Sequence, residues 1–108
     1  MDRKVVLISI EGLKPSAIKE CGHPFLNGLK KESAYCMKMK TEVSQYVLTS
    51  QVSMFYSISA ENHGIKTNEW VGNIKLPESL GDVVARAGGK TGMFYSQAEL
   101  RNLNRPGS

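Results

Sequence analysis

An uninterrupted apolar run close to the N-terminus constrains the fold of this chain more than any other feature. Residues 5–10 read Val-Val-Leu-Ile-Ser-Ile, so that a single serine interrupts the aliphatic side chains. Such a run predicts a strand buried on both faces of a parallel sheet. Glu11 and Gly12 follow directly and place a carboxylate on the turn at the carboxyl end of that strand, where open α/β sheets bind ligands.

The remaining sequence alternates helical and extended patterns. We predict strands at 4–10, 35–43 and 90–95, and helices at 15–20, 24–33, 48–58, 77–87 and 97–103. The helix 77–87 is the most clearly determined, because Pro77 suits a first turn and Leu80, Val83, Val84 and Ala87 form an apolar stripe. Strands separated by helices predict an α/β fold of three layers, αβα, with a mainly parallel sheet and right-handed crossovers.

Several segments match the motifs of one known family in that family's order. They read VVLISIEGLKPSAIK from Val5, PFLNGL from Pro24, SMF from Ser53, ENHGI from Glu61 and NEW from Asn68. Their order and spacing resemble the alkaline phosphatase superfamily, most closely its nucleotide pyrophosphatase/phosphodiesterase branch. The resemblance runs from about Val5 to the end. It implies that 1–108 is a single N-terminal portion of such a domain, with a partial alkaline-phosphatase-like core.

Glu11 occupies the position at which the family carries a metal-binding Asp. The resemblance therefore implies that Glu11 is a metal ligand, and that the metal is zinc or manganese if the full domain is active. The residues alone leave a second interpretation open, in which Glu11 is a solvated turn residue or a helix cap. The family's other ligands, two Asp-His sets and a further His, lie downstream of the matched segments. Nothing after His63 supplies them, so we expect no complete two-metal site.

The nucleophile of the family is a Thr or Ser at the start of the helix that precedes the His-Gly motif. There the unpaired backbone N–H groups and the helix dipole stabilise its anion. Counting back from His63 without a gap places Val47 at this position, and valine cannot attack phosphorus. No catalytic residue is therefore assigned. Thr49 and Ser50 are the alternatives if the register slips by two or three residues.

Two hypotheses about function follow from the resemblance. In the first, the chain is a truncated or degenerate phosphodiesterase/phosphatase-like module that has no catalysis of its own and binds a partner or an anion. In the second, it is the N-terminal part of an active metal-dependent phosphoester or sulfate ester hydrolase. Neither hypothesis identifies the substrate, because the specificity residues of the family lie mostly in other segments.

Composition bears on partners and location. No stretch reaches the roughly eighteen apolar residues that span a membrane, and the first residues lack the pattern of a secretory signal. We expect a cytoplasmic protein without membrane contact. The net charge of +4 comes from dispersed lysines, which argues against nucleic acid as a partner. A partial sheet leaves an unpaired edge, so we expect a homo-oligomer or association with the missing remainder of the domain.

Overall fold

The computed structural model describes residues 3–41, 46–72 and 74–104. The described residues form five α-helices and one 3₁₀ helix: α1 Pro15–Cys21, α2 Pro24–Glu32, α3 Val47–Tyr56, α4 Ala60–His63, α5 Leu80–Arg86 and the 3₁₀ helix Ala98–Leu103. The chain divides into two compact units. One comprises residues 5–40, and the other comprises residues 41–108 with the first four residues.

The larger unit is built around one face of α3. Its core consists of six buried apolar side chains from α3, the segment after α4 and the 3₁₀ helix: Leu48, Val52, Tyr56, Ile65, Leu100 and Leu103. The first three of these recur every four residues and therefore share one side of the helix. The Tyr56 hydroxyl also donates a hydrogen bond to the Asn102 carbonyl oxygen, at 2.7 Å. Apolar packing and this bond together hold α3 against the 3₁₀ helix.

The smaller unit contains α1 and α2 and no buried residue. Both helices begin with a proline at the first position, where the missing N–H has no intrahelical acceptor in any case. The His23 ring caps α2, because its Nδ1 accepts the Phe25 N–H at 3.2 Å. The apolar run 5–10 precedes α1 without helix or strand, and its aliphatic side chains are exposed.

The predicted αβα fold with a parallel sheet is wrong, because none of the described residues forms a strand. The predicted strands 4–10 and 90–95 and the described part of 35–43 are irregular, and residues 42–43 lie outside the described ranges. An apolar run with β-branched residues indicates β-propensity alone. A strand also needs a neighbour that exchanges backbone hydrogen bonds with it. The expected alkaline-phosphatase-like α/β core is thus replaced by helices packed around α3.

The predicted helices are confirmed with changed boundaries. Segments 15–20, 24–33 and 48–58 correspond to α1, α2 and α3, and 97–103 is a 3₁₀ helix; α4 was not predicted. The predicted helix 77–87 begins at Leu80 because Ser79 caps it. The Asp82 N–H donates to Ser79 Oγ at 3.1 Å, and the Ser79 N–H donates to Asp82 Oδ2 at 2.9 Å. This reciprocal pair is a capping box, which fixes the start of the helix.

None of the helices within the described ranges is long and apolar enough to cross a membrane. The longest of them, α3, has 10 residues, whereas a spanning helix needs about 20.

Three of the described helices end at a cap residue in the left-handed region, and two of these caps, Ser57 and Gly64, belong to the larger unit. Ser57 ends α3 at φ 54° and ψ 47°, and Gly64 ends α4 at φ 73°. Ser57 is the one non-glycine residue with positive φ in the described part of the chain. A Cβ at Gly64 would meet no atom within 4 Å, so its glycine is required by conformation and not by space. Both positions therefore require a left-handed backbone conformation, although one holds a serine and the other a glycine.

We predict that Ser57→Gly raises the free energy of unfolding by about 0.5–1 kcal/mol. The left-handed conformation costs a residue with a Cβ roughly 1–2 kcal/mol, which exceeds the extra chain entropy that glycine loses on folding. Gly64→Ala is the matched control and should lower the same free energy by a similar amount. Urea denaturation followed by circular dichroism measures both. A loss of stability in Ser57→Gly would contradict the argument.

Candidate functional site

The first turn of α3 carries the residues that the sequence selects as nucleophile candidates. Val47 is the first helical residue, and Thr49 and Ser50 follow within the same turn. The structure therefore brings the expected nucleophile position and both of its alternatives together. Val47 and Ser50 are half-buried, whereas the Thr49 side chain is buried. Val47 is thus located at the start of α3.

An amide from a distant loop caps this turn. The preceding residue, Tyr46, makes no capping hydrogen bond with its side chain. The Leu48 N–H donates instead to Asn68 Oδ1 at 3.2 Å, across 20 residues of sequence. One of the backbone donors that a helix start leaves open is thereby satisfied by a neutral side chain. An anion at this helix start would have to compete with Asn68 for that donor.

The Thr49 hydroxyl has no hydrogen-bond partner among the described residues, although the side chain is only 2% exposed. A buried hydroxyl without a partner costs roughly 1–3 kcal/mol of stability. A nucleophile needs access to the substrate and a neighbouring base that takes its proton. Burial denies Thr49 the access, and no described group is hydrogen-bonded to its Oγ1 as a base.

One helical turn after Thr49, Ser53 of α3 contacts His63 of α4. Ser53 Oγ and His63 Nε2 are 3.0 Å apart, and the His63 ring is 1% exposed. The other ring nitrogen, Nδ1, accepts the Ile65 N–H at 3.0 Å. Because Nδ1 accepts a hydrogen bond from a backbone N–H, the ring proton of the neutral imidazole is on Nε2. His63 therefore donates to Ser53 Oγ.

This direction of the hydrogen bond decides the chemistry of the pair. A histidine that activates a serine must present an unprotonated nitrogen to the hydroxyl. His63 presents a proton instead, and its unprotonated nitrogen holds the turn that leads to Ile65. The pair thus fastens the end of α4 to the inner face of α3 and has no nucleophilic role in this tautomer.

Glu11 belongs to the smaller unit. Its side chain is exposed on a turn with Gly12, whose φ is 72°. In the described part of the chain, no group of three or more His, Cys, Asp or Glu residues could hold a metal ion. Cys21 and Cys36 are exposed thiols. The roles of Glu11 as a metal ligand and of zinc or manganese as its metal stay predictions.

Comparisons of the chain with protein-family models, with curated proteins and with solved structures gave no significant match. The resemblance to the alkaline phosphatase superfamily accordingly remains an interpretation of motif order and spacing.

Two structural contacts were missed by sequence reasoning: the Asn68 cap and the Ser53–His63 pair. Asn68, Ser53 and His63 all lie in segments that carry the resemblance. No local sequence pattern, however, indicates that Asn68 reaches the start of α3. The neighbouring Trp70 is also fixed, since its N–H donates to Glu99 Oε2 at 3.2 Å. The loop 68–70 is therefore tied to both α3 and the 3₁₀ helix.

We predict opposite effects for the two hydroxyls on the inner side of α3. Thr49→Val should raise the free energy of unfolding by about 1 kcal/mol, because it removes a buried polar group that has no partner. Ser53→Ala should lower it by about 0.5–1.5 kcal/mol, because it removes the hydroxyl that is hydrogen-bonded to the buried His63 ring. Chemical denaturation of both variants measures the difference. Destabilisation by Thr49→Val would mean that the hydroxyl has a partner.

The Asn68 cap gives a separate prediction. Asn68→Ala should lower the free energy of unfolding by about 0.5–2 kcal/mol, because the Leu48 N–H loses its acceptor. Asn68→Asp keeps an acceptor oxygen and adds a negative charge near the helix start, which favours the helix by about 0.3–1 kcal/mol. Thermal and urea unfolding at neutral pH should rank aspartate at least equal to wild type and alanine last. An alanine variant as stable as wild type would contradict the cap.

Proposed function

We propose that the chain is a degenerate phosphodiesterase-like module without catalytic activity of its own, and that it acts by binding another protein chain. The observation that carries the proposal is the first turn of α3. Its expected nucleophile position holds Val47, and one of its open donors is bound by the Asn68 amide. A phosphoryl group would find neither an attacking atom nor a fully open helix start there.

The nearby polar side chains support the same conclusion. Thr49 is buried without a base, and Ser53 Oγ accepts a hydrogen bond from His63 and does not donate one to it. Glu11 alone would bind a divalent ion weakly, because a stable site needs several ligands. These groups have types that occur in hydrolytic sites, but Ser53 and His63 hold two helices together, Glu11 faces solvent, and Thr49 is buried without a partner.

The binding part of the proposal rests on exposed apolar side chains. The unit 5–40 has no buried residue, yet it carries aliphatic and aromatic side chains from Val5 to Met39 in solvent. Contiguous exposed apolar surface marks interaction sites in soluble proteins. We therefore take this unit as the binding part of the module. A cytoplasmic location belongs to the proposal, since the exposed thiols of Cys21 and Cys36 suit a reducing compartment.

We predict that the purified chain does not hydrolyse p-nitrophenyl phosphate, bis-p-nitrophenyl phosphate or p-nitrophenyl sulfate when zinc or manganese is added. Val47 cannot form a covalent intermediate, and the described residues contain no metal cluster. The release of p-nitrophenol, compared with buffer that contains the same metal, is the measurement. Glu11→Ala and Thr49→Val serve as controls and should give the same background rate as wild type.

Turnover that co-purifies with the chain and is lost in Glu11→Ala would contradict the proposal and favour the metal-dependent hydrolase. Turnover that is lost in Thr49→Val but kept in Ser50→Ala would in addition identify the buried hydroxyl as the nucleophile.

A further inference from the structure

The apolar run 5–10 is called here the apolar segment. Among the described residues it is the longest stretch in which all side chains but one are aliphatic and exposed. The exposed fractions are 90% for Val5, 81% for Val6, 58% for Leu7, 74% for Ile8 and 61% for Ile10. The backbone of this segment is neither helical nor part of a strand. Burying one such side chain is worth about 1.5–3 kcal/mol. A binding partner therefore gains more here than at scattered apolar residues.

The composition of the apolar segment favours strand pairing over other modes of binding. It contains no charge, no proline and no glycine, and most of its residues are β-branched. In an extended conformation Val5 and Leu7 lie on one face, and Val6, Ile8 and Ile10 lie on the other. A groove or a single sheet edge would leave one of these faces in water. Short uncharged segments that are apolar on both faces are covered completely when identical strands stack and the resulting sheets pack together.

The ends of the apolar segment indicate which strand would pair with it. Lys4 precedes it and Glu11 follows it. A parallel stack of identical segments would place lysine beside lysine and glutamate beside glutamate. An antiparallel pair would place Lys4 of one copy opposite Glu11 of the next, at both ends of the strand. Opposite charges across a sheet stabilise it, and like charges destabilise it. The segment is thus complementary to its own reversed copy.

We propose that the apolar segment pairs antiparallel with the same segment of further copies of this chain and forms a cross-β assembly. In the register that joins Lys4 to Glu11, Val5 faces Ile10, Val6 faces Ser9 and Leu7 faces Ile8. Both faces of the resulting sheet then carry the same mixture of side chains. Gly12, with its φ of 72°, and Pro15 at the start of α1 end the strand on its C-terminal side.

This register has a consequence for the size of the assembly. Each face of the pair carries odd-numbered residues of one copy and even-numbered residues of the other. A two-fold axis perpendicular to the sheet would place the same residues of both copies on one face. Such an axis therefore cannot relate the two copies. Each strand then offers its second edge to another copy in the same way, and the contact repeats. Contacts that do not close produce filaments and not dimers. The inference rests on the proposed function and extends it by naming the partner as further copies of this chain.

The test uses the full purified chain at increasing concentration. We expect thioflavin T binding, a fibre reflection at about 4.7–4.8 Å, and an amide I band with the splitting of antiparallel strands. Ile8→Pro should raise the concentration of soluble chain at equilibrium by at least about tenfold, because it removes a ladder donor at the centre of the segment. The matched control is Met39→Pro. Met39 has the same exposed fraction, 74%, lies outside helices and belongs to the same unit.

Charge variants test the register. Lys4→Glu should raise the soluble concentration by about fivefold, which corresponds to about 1 kcal/mol, because it places two glutamates opposite each other. Adding Glu11→Lys to this variant restores the pairing with the charges exchanged, and the soluble concentration should return to the wild-type value. Retained helical circular dichroism in every variant shows that the larger unit is intact, since the apolar segment contributes nothing to its core.

Three results would overturn the inference: a wild-type chain that stays monomeric at high concentration, assembly of Ile8→Pro equal to that of Met39→Pro, or a double charge variant as soluble as Lys4→Glu alone. The hydrolysis assay is independent of these results. Turnover would refute the proposed non-catalytic function and leave the inferred assembly unaffected. Failure to assemble would refute the inference and leave the prediction of no turnover unchanged.

Discussion

The packing of one face of α3 is the interaction on which the rest of the structure depends. Leu48, Val52 and Tyr56 are buried against Leu100 and Leu103 of the 3₁₀ helix. The helix is only 10 residues long, and helices of that length are marginal in water without tertiary contacts. The 3₁₀ helix is shorter still, with 6 residues. Each element is therefore formed because the other covers its apolar side, and the loop 68–70 joins both through Asn68 and Glu99.

The same dependence explains why the polar groups around α3 serve the fold. Ser53 is half-buried on the side of the helix that faces α4, where its hydroxyl contacts the His63 ring. The ring is in turn fixed by the Ile65 N–H, which sets its tautomer. A catalytic pair would need the opposite proton arrangement and an opening to the substrate. Burial and the backbone bond together make His63 a connector between two helices.

The sequence predicted helices better than strands, for a physical reason. Pro15 and Pro24 mark helix starts through their own fixed φ, and Ser79 with Asp82 forms a cap within four residues, so these signals are complete locally. A strand is a relation between two segments, and the run 5–10 supplies one of them. For the candidate site, Val47, Thr49 and Ser50 lie on one turn because they are close in sequence, and their roles stay predictions. The sequence could not show that Asn68 reaches that turn, because a cap from a distant loop depends on tertiary structure.

The incorrect strand prediction and the proposed assembly have one cause. The pattern of residues 5–10 indicates a strand with both faces covered, and within the described chain neither a neighbouring strand nor a covering layer is present. The preference for pairing is a property of those side chains and persists when the fold does not use it. In the proposed assembly, a reversed copy of the segment would supply the neighbour, match Lys4 with Glu11 and cover both faces once sheets stack. The β signal in this sequence would then be satisfied between chains and not within one.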